Sequence, residues 1–118
     1  MRVLLADDHT QVRWALRTVI REASGLTVVG EASDAENLLS QAQSLQPDLI
    51  LLEWELPGRL GGDLLSSLRA LNHQPRVIVL SHRPESEEAA LAADADAFVS
   101  KADPPERLLS ALRRAMRS

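Results

Sequence analysis

Short apolar runs and amphipathic stretches alternate five times along this chain. Residues 3–6 (Val3, Leu4, Leu5, Ala6) form the first run and read as a buried strand. Val12, Ala15, Leu16, Val19, Ile20 and Ala23 then recur at helical spacing, and Gly25 stops that helix. Residues 26–32 are rich in β-branched side chains and read as the second strand. Ser33 or Asp34 caps the next helix, with Ala35, Leu38, Leu39, Ala42 and Leu45 on its inner face. After a Pro47-Asp48 turn, residues 49–52 are the most apolar run, which predicts a central strand covered on both faces.

Pro57, Gly58, Gly61 and Gly62 mark a long loop, and Leu64, Leu65, Leu68 and Leu71 a third helix. Residues 77–80 read as the fourth strand. Pro84 opens an alanine-rich helix at 85–93, and residues 97–99 form a short fifth strand. The last helix starts at Pro104-Pro105, with Leu108, Leu109, Leu112, Ala115 and Met116 facing inward. Strands alternating with helices predict an α/β domain with a parallel sheet. The flavodoxin-like (βα)5 sandwich with strand order 2-1-3-4-5 fits best. One domain is expected over residues 1–118.

That order gathers the carboxyl ends of the strands along one sheet edge, where ligands bind in open α/β folds. Asp7 and Asp8 follow the first strand, Glu53 the third and Lys101 the fifth. Lys101 is the only lysine; the other basic residues are twelve arginines. A chain that uses arginine everywhere else needs a compact, mobile point charge at that position. Three carboxylates and one ammonium suit a hard divalent cation together with a phosphoryl group.

Composition narrows the classes. A net charge of −4 and a pI near 5.3 argue against a DNA-binding surface, and 3% aromatic residues against base stacking. The chain has no cysteine, so disulfides and thiolate metal sites are excluded. No secretory leader and no membrane-spanning run are visible in the sequence, and a cytoplasmic location is expected. An FMN carrier of the same fold would need a hydroxyl- and glycine-rich phosphate loop where Asp7, Asp8 and His9 stand. A Mg-dependent phosphohydrolase-like enzyme lacks a second acid motif and a general base here, so no enzyme activity is expected.

The runs LLADDH at 4–9, LILLEWELPG at 49–58, VIVLS at 77–81 and AFVSK at 97–101 resemble the receiver domain of two-component response regulators. The DDH start and the DAFVSKADPPERLL run at 96–109 are similar to receivers followed by a C-terminal helix-turn-helix domain. The resemblance implies phosphorelay signalling with a histidine kinase or other signalling protein as partner, and a possible homodimer. It implies transcription regulation through an output domain that would need about 60 residues past Ser118. It further implies a Mg2+ site from Asp7, Asp8, the acceptor side chain and the carbonyl of Glu55. Ser81 and Lys101 would contact the phosphoryl oxygens, and Phe98 would move with the switch. In such receivers the helix before AFVSK usually ends in glycine, so Asp94 is expected in the left-handed conformation.

The acceptor position itself departs from the pattern: it holds Glu53 where the family has aspartate. One extra methylene moves the carboxylate by about 1.5 Å. Glu53 then either mimics a phosphoryl group by pairing with Lys101 or Ser81, or leaves the pocket silent; a phosphorylatable Glu53 is the alternative. A single carboxylate carries less charge than a phosphoryl group, which favours the silent form, with Glu53 pointing to solvent and Phe98 outward. Weak Mg2+ binding is expected in each case. Trp14 lies opposite the inner face of the first helix, among Arg13, Arg17 and Arg21, and suggests a partner surface. His9 is positioned to hydrogen-bond near the two acids.

Overall fold

Leu49 to Leu52 leave no face for water, and the strand they build lies at the centre of the sheet. The computed structural model describes residues 1–117. Its strands are β1 (Arg2–Ala6), β2 (Thr27–Ala32), β3 (Leu49–Glu53), β4 (Arg76–Ser81) and β5 (Ala97–Ser100). The helices are α1 (Thr10–Glu22), α2 (Ala35–Leu45), α3 (Gly61–Arg69), α4 (Glu87–Ala92) and α5 (Pro105–Arg117). All strand pairs are parallel, in the order β2-β1-β3-β4-β5. This is the expected flavodoxin-like arrangement.

Alternation along the strands divides the core into two layers. Val3, Leu5, Leu49, Leu51, Ile78 and Val99 face α1 and α5, where Leu16, Ile20, Leu109 and Leu112 cover them. Leu4, Ile50, Leu52, Val77 and Val79 face the other way, against Leu38, Leu64, Leu65, Leu68 and Ala90. Each fully buried leucine contributes about 1.5–3 kcal/mol. A one-residue slip of any strand would exchange its two faces, so the pattern also fixes which strand ends meet.

The helix ends follow local chemistry. Asp34 caps α2 by accepting the Asn37 N–H at 2.8 Å. The single helix expected at 85–93 is instead a 3-10 turn at Pro84–Ser86 followed by α4. Proline presets the first turn, and the tighter turn satisfies its early carbonyl. Asp94 has φ 70°, as expected. The Asp94 N–H donates to the Leu91 carbonyl at 3.0 Å, and the Ala95 N–H to Ala90 at 3.1 Å, which closes the helix in a left-handed cap. Gln46, with φ 48°, ends α2 in the same conformation, which its side chain type did not foretell. Asp94→Gly should stabilise the fold by about 0.5–1 kcal/mol, because glycine adopts positive φ without Cβ strain. Urea melts check this; a lower midpoint for the variant would contradict it.

The β3–α3 loop is pinned against the rest of the sheet edge. The Ala35 N–H donates to the Pro57 carbonyl at 2.8 Å, and the Trp54 N–H to the Leu80 carbonyl at 2.8 Å. Gly58 has φ 108°, and Gly61 passes so close under the Trp54 indole that a Cβ there would lie 2.6 Å from the ring. Only glycine permits both, and together they hold residues 53–56 in place.

Candidate functional site

The register brings four strand ends together: Ala6 stands beside Leu52, Glu53 beside Leu80, and Ser81 beside Ser100. Lys101 follows immediately, its N–H donating to the Ser81 carbonyl at 2.8 Å. Its ammonium lies 2.6 Å from Asp7 Oδ2 and forms an ion pair with Glu53 Oε2. The three side chains are 8%, 1% and 4% exposed for Lys101, Asp7 and Glu53. Two carboxylates thus share one buried cation. An unpaired buried carboxylate would cost several kcal/mol, so the lysine is required by its neighbours as much as it is held by them. A planar guanidinium would need a wider, forked site, which accounts for lysine here in an arginine-rich chain.

The remaining oxygens are also engaged. Asp7 Oδ1 accepts the His9 N–H at 2.9 Å, and Glu53 Oε1 accepts the Glu55 N–H at 3.3 Å. The Arg13 guanidinium donates to the Asp7 carbonyl at 2.6 Å while its Nε pairs with Glu31 at 2.9 Å. Asp7 therefore does not cap α1; the N-cap residue is His9, whose side chain makes no capping bond. His9 Nδ1 lies 3.2 Å from Asp8 Oδ1 and 3.4 Å from Asp7 Oδ1, so it does sit against the acid pair.

Ser81 is engaged elsewhere. Its hydroxyl lies 2.9 and 3.1 Å from the two Glu55 carboxylate oxygens and accepts the Arg83 N–H at 3.0 Å. The resemblance gives Glu55 a part through its carbonyl only; the structure adds the contact of its carboxylate with Ser81. The available signal was an acid two residues past a strand whose neighbour ends in a hydroxyl. Phe98, expected to point outward, is instead half-buried and packs against the core layer covered by α2, α3 and α4. The expectation that Glu53 points to solvent is overturned. Its carboxylate is buried, because the Lys101 ammonium offers it a counter-charge that a solvent-facing rotamer would forfeit. Trp14 is 64% exposed, as expected on the outer face of α1.

The acid pair suits a hard cation in part. Asp7, Asp8 and His9 each offer one ligand atom, all within 4.8 Å of one another. Asp7 and Asp8 would hold Mg2+, which when bound would screen the charge of an incoming phosphoryl group. The Glu53 carboxylate is turned to Lys101 and that of Glu55 to Ser81, so neither carboxylate adds to this group. Lys101 already neutralises much of Asp7. Mg2+ should therefore bind only at about millimolar concentrations or above, given the strict octahedral demand of that ion. Trp54, adjoining Glu53, supplies the fluorescence readout; saturable quenching below about 0.1 mM would contradict the expectation.

Comparison with known proteins agrees with this fold. The family model described as response regulator receiver domain matches residues 3–113. The nitrate/nitrite response regulator protein NarL of Escherichia coli (strain K12) is 41% identical over 115 residues, which cover 96% of this chain and 53% of NarL. The transcriptional activator protein ExaE of Pseudomonas putida is 36% identical over 118 residues, covering 98% and 55% of the two chains. The chain spans about half the length of these curated relatives. Among solved structures, the isolated REC domain of RcsB from Salmonella enterica serovar Typhimurium, determined with the phosphomimetic BeF3-, superposes with a TM-score of 0.92 at 26% identity. That match covers 100% of this chain and 89% of the other. The signal receiver domain of the regulator NarL from Mycobacterium tuberculosis gives 0.86 at 28% identity, covering 98% and 95%.

Proposed function

The chain belongs to the response-regulator receiver family of two-component signalling, and from that premise we propose that it is an atypical receiver, locked by an internal ion pair rather than switched by phosphorylation. Glu53 stands at the phosphoacceptor position, and its carboxylate occupies the cation that a phosphoryl group would otherwise recruit. The observation that carries this reading is the Lys101 ammonium buried between Asp7 and Glu53.

The pairing does by side-chain length what phosphorylation does by chemistry. A carboxylate at the end of β3 draws the cation at the end of β5 toward it, and the half-buried Phe98 on β5 is held against the core. Glu53 supplies one negative charge where a phosphoryl group brings about −1.5 to −2, so the locked state is a partial equivalent of the phosphorylated one. The domain then acts as a phosphorylation-independent interaction module with no catalytic turnover. Its partner is a histidine kinase or another signalling protein, or a second copy in a homodimer. The transcriptional role named for relatives such as ExaE suggests that this domain controls a separate output domain. Mg2+ is at most a weak ligand of Asp7 and Asp8.

Intact mass after incubation with acetyl phosphate and Mg2+ tests the reading, with the unaltered chain run beside Glu53→Asp. An adduct on the variant alone is expected. An adduct mapped to Glu53 in the unaltered chain would overturn the proposal.

A further inference from the structure

We propose that Glu55 is a gate on this pocket: its carboxylate captures the Ser81 hydroxyl and withholds it from external phosphoryl groups. The inference rests on reading the pocket as a receiver's phosphoryl site, and it concerns a residue outside the Lys101 ion pair.

A serine hydroxyl has one proton to give. Ser81 lies 2.9 and 3.1 Å from the two Glu55 oxygens, so its proton is directed to that carboxylate. Its own oxygen accepts the Arg83 N–H at 3.0 Å. The hydroxyl is thus satisfied on both sides, and an incoming phosphoryl oxygen finds no donor on β4. A hydrogen bond to a carboxylate is stronger than one between neutral groups, so the capture is not lightly given up. Glu55 itself is exposed on the β3–α3 loop, whose backbone is held by the Leu56 N–H bond to Glu53 at 3.1 Å and by Gly58 and Gly61. The pocket is therefore closed at two separate points. Glu53 holds Lys101, and Glu55 holds Ser81.

Restoring aspartate at position 53 opens only the first of these. Phosphoryl transfer to it from acetyl phosphate forms a bond between the introduced carboxylate oxygen and phosphorus. The phosphorus–oxygen bond to acetate breaks, and acetate leaves with the electron pair. The new phosphoryl oxygens need donors, and the Ser81 hydroxyl at the end of β4 is one of those at this edge. Removing Glu55 should release it.

The test compares initial rates of adduct formation, by intact mass with acetyl phosphate and Mg2+, in Glu53→Asp and in Glu53→Asp/Glu55→Ala. Both rates are repeated with Ser81→Ala added. The Glu55→Ala change should raise the rate by about tenfold, the scale of a charge-assisted hydrogen bond released, and the gain should vanish when Ser81 is absent. Equal rates with and without Glu55, including no adduct in either, would overturn the gate. So would an undiminished gain in the Ser81→Ala background, since Glu55 would then act as a simple charge barrier. Glu55 is exposed, so its removal leaves the core intact. The earlier reading fails on a different result, an adduct at Glu53 of the unaltered chain, so the two failures are separable.

Discussion

Lys101→Met should lower the stability of the fold by about 3–5 kcal/mol, the range for removing one partner from a buried ionic cluster. Methionine keeps much of the lysine stem, so lost packing contributes little and the missing charge dominates. Without the ammonium, Asp7 and Glu53 face each other as two buried carboxylates, 1% and 4% exposed. Two like charges left without their shared counter-ion cannot both stay ionised without cost, and among the described residues no other ion pair is formed by Glu53. Glu53→Gln added to Lys101→Met should restore a substantial part of the loss, because it removes one of the two stranded charges. Urea melts of the single and double variants form the cycle that isolates this coupling. A cost for Lys101→Met below about 1 kcal/mol would place the triad among solvent-screened surface pairs and dismiss the locked-pocket reading.

The features legible in the chain were those written as periodicity. The run at 49–52 announced the central strand because a short apolar run bounded by the Pro47-Asp48 turn and the Pro57-Gly58 loop suits a strand covered on both faces. Helical spacing in residues 12–23 placed the inner face of α1, and Trp14 fell outside it as expected. The uniqueness of Lys101 pointed to a special charge, and the topology placed it beside Asp7. Side-chain direction was not legible. Whether Glu53 turned inward depended on how far Lys101 reached across from β5, a tertiary distance that no local pattern encodes. The resemblance speaks to Glu55 through its backbone carbonyl alone. Its carboxylate meets Ser81 only because the loop that carries it is pinned beneath Trp54 by Gly61 and against Ala35 by Gly58. Gln46 in the left-handed region was hidden for a related reason. The Pro47 that follows it signalled a turn, but not which residue would absorb the unusual dihedral.

Acetyl phosphate with Mg2+ should leave the unaltered chain at its original mass, while Glu53→Asp gains about 80 Da for each phosphoryl group. Carboxylate nucleophilicity barely differs between the two acids, so geometry and charge decide the outcome. The extra methylene of Glu53 advances its carboxylate by about 1.5 Å toward the space that an incoming phosphorus would occupy. A misplacement of about 1 Å in a reacting group already costs about 100-fold in rate. The ion pair adds to this, since Glu53 Oε2 is committed to Lys101 and would have to release it before attacking. The ammonium would then lose a partner at the moment it is needed by the phosphoryl oxygens. Shortening the side chain reverses both effects: the carboxylate withdraws toward β3, and Lys101 keeps Asp7 at 2.6 Å while regaining a free direction. The ratio of rates between Glu53→Asp and the unaltered chain should therefore exceed about 100, even if Glu55 slows both. Comparable adduct formation in the two proteins, with the unaltered chain modified at Glu53, would mean that the lysine yields readily. The ion pair would then be a resting arrangement of a working acceptor rather than a lock. Glu53→Gln supplies the complementary observation. It keeps the side-chain length and removes the charge, so a loss of partner binding or of dimer on that change alone would assign the signal to the carboxylate's hold on Lys101.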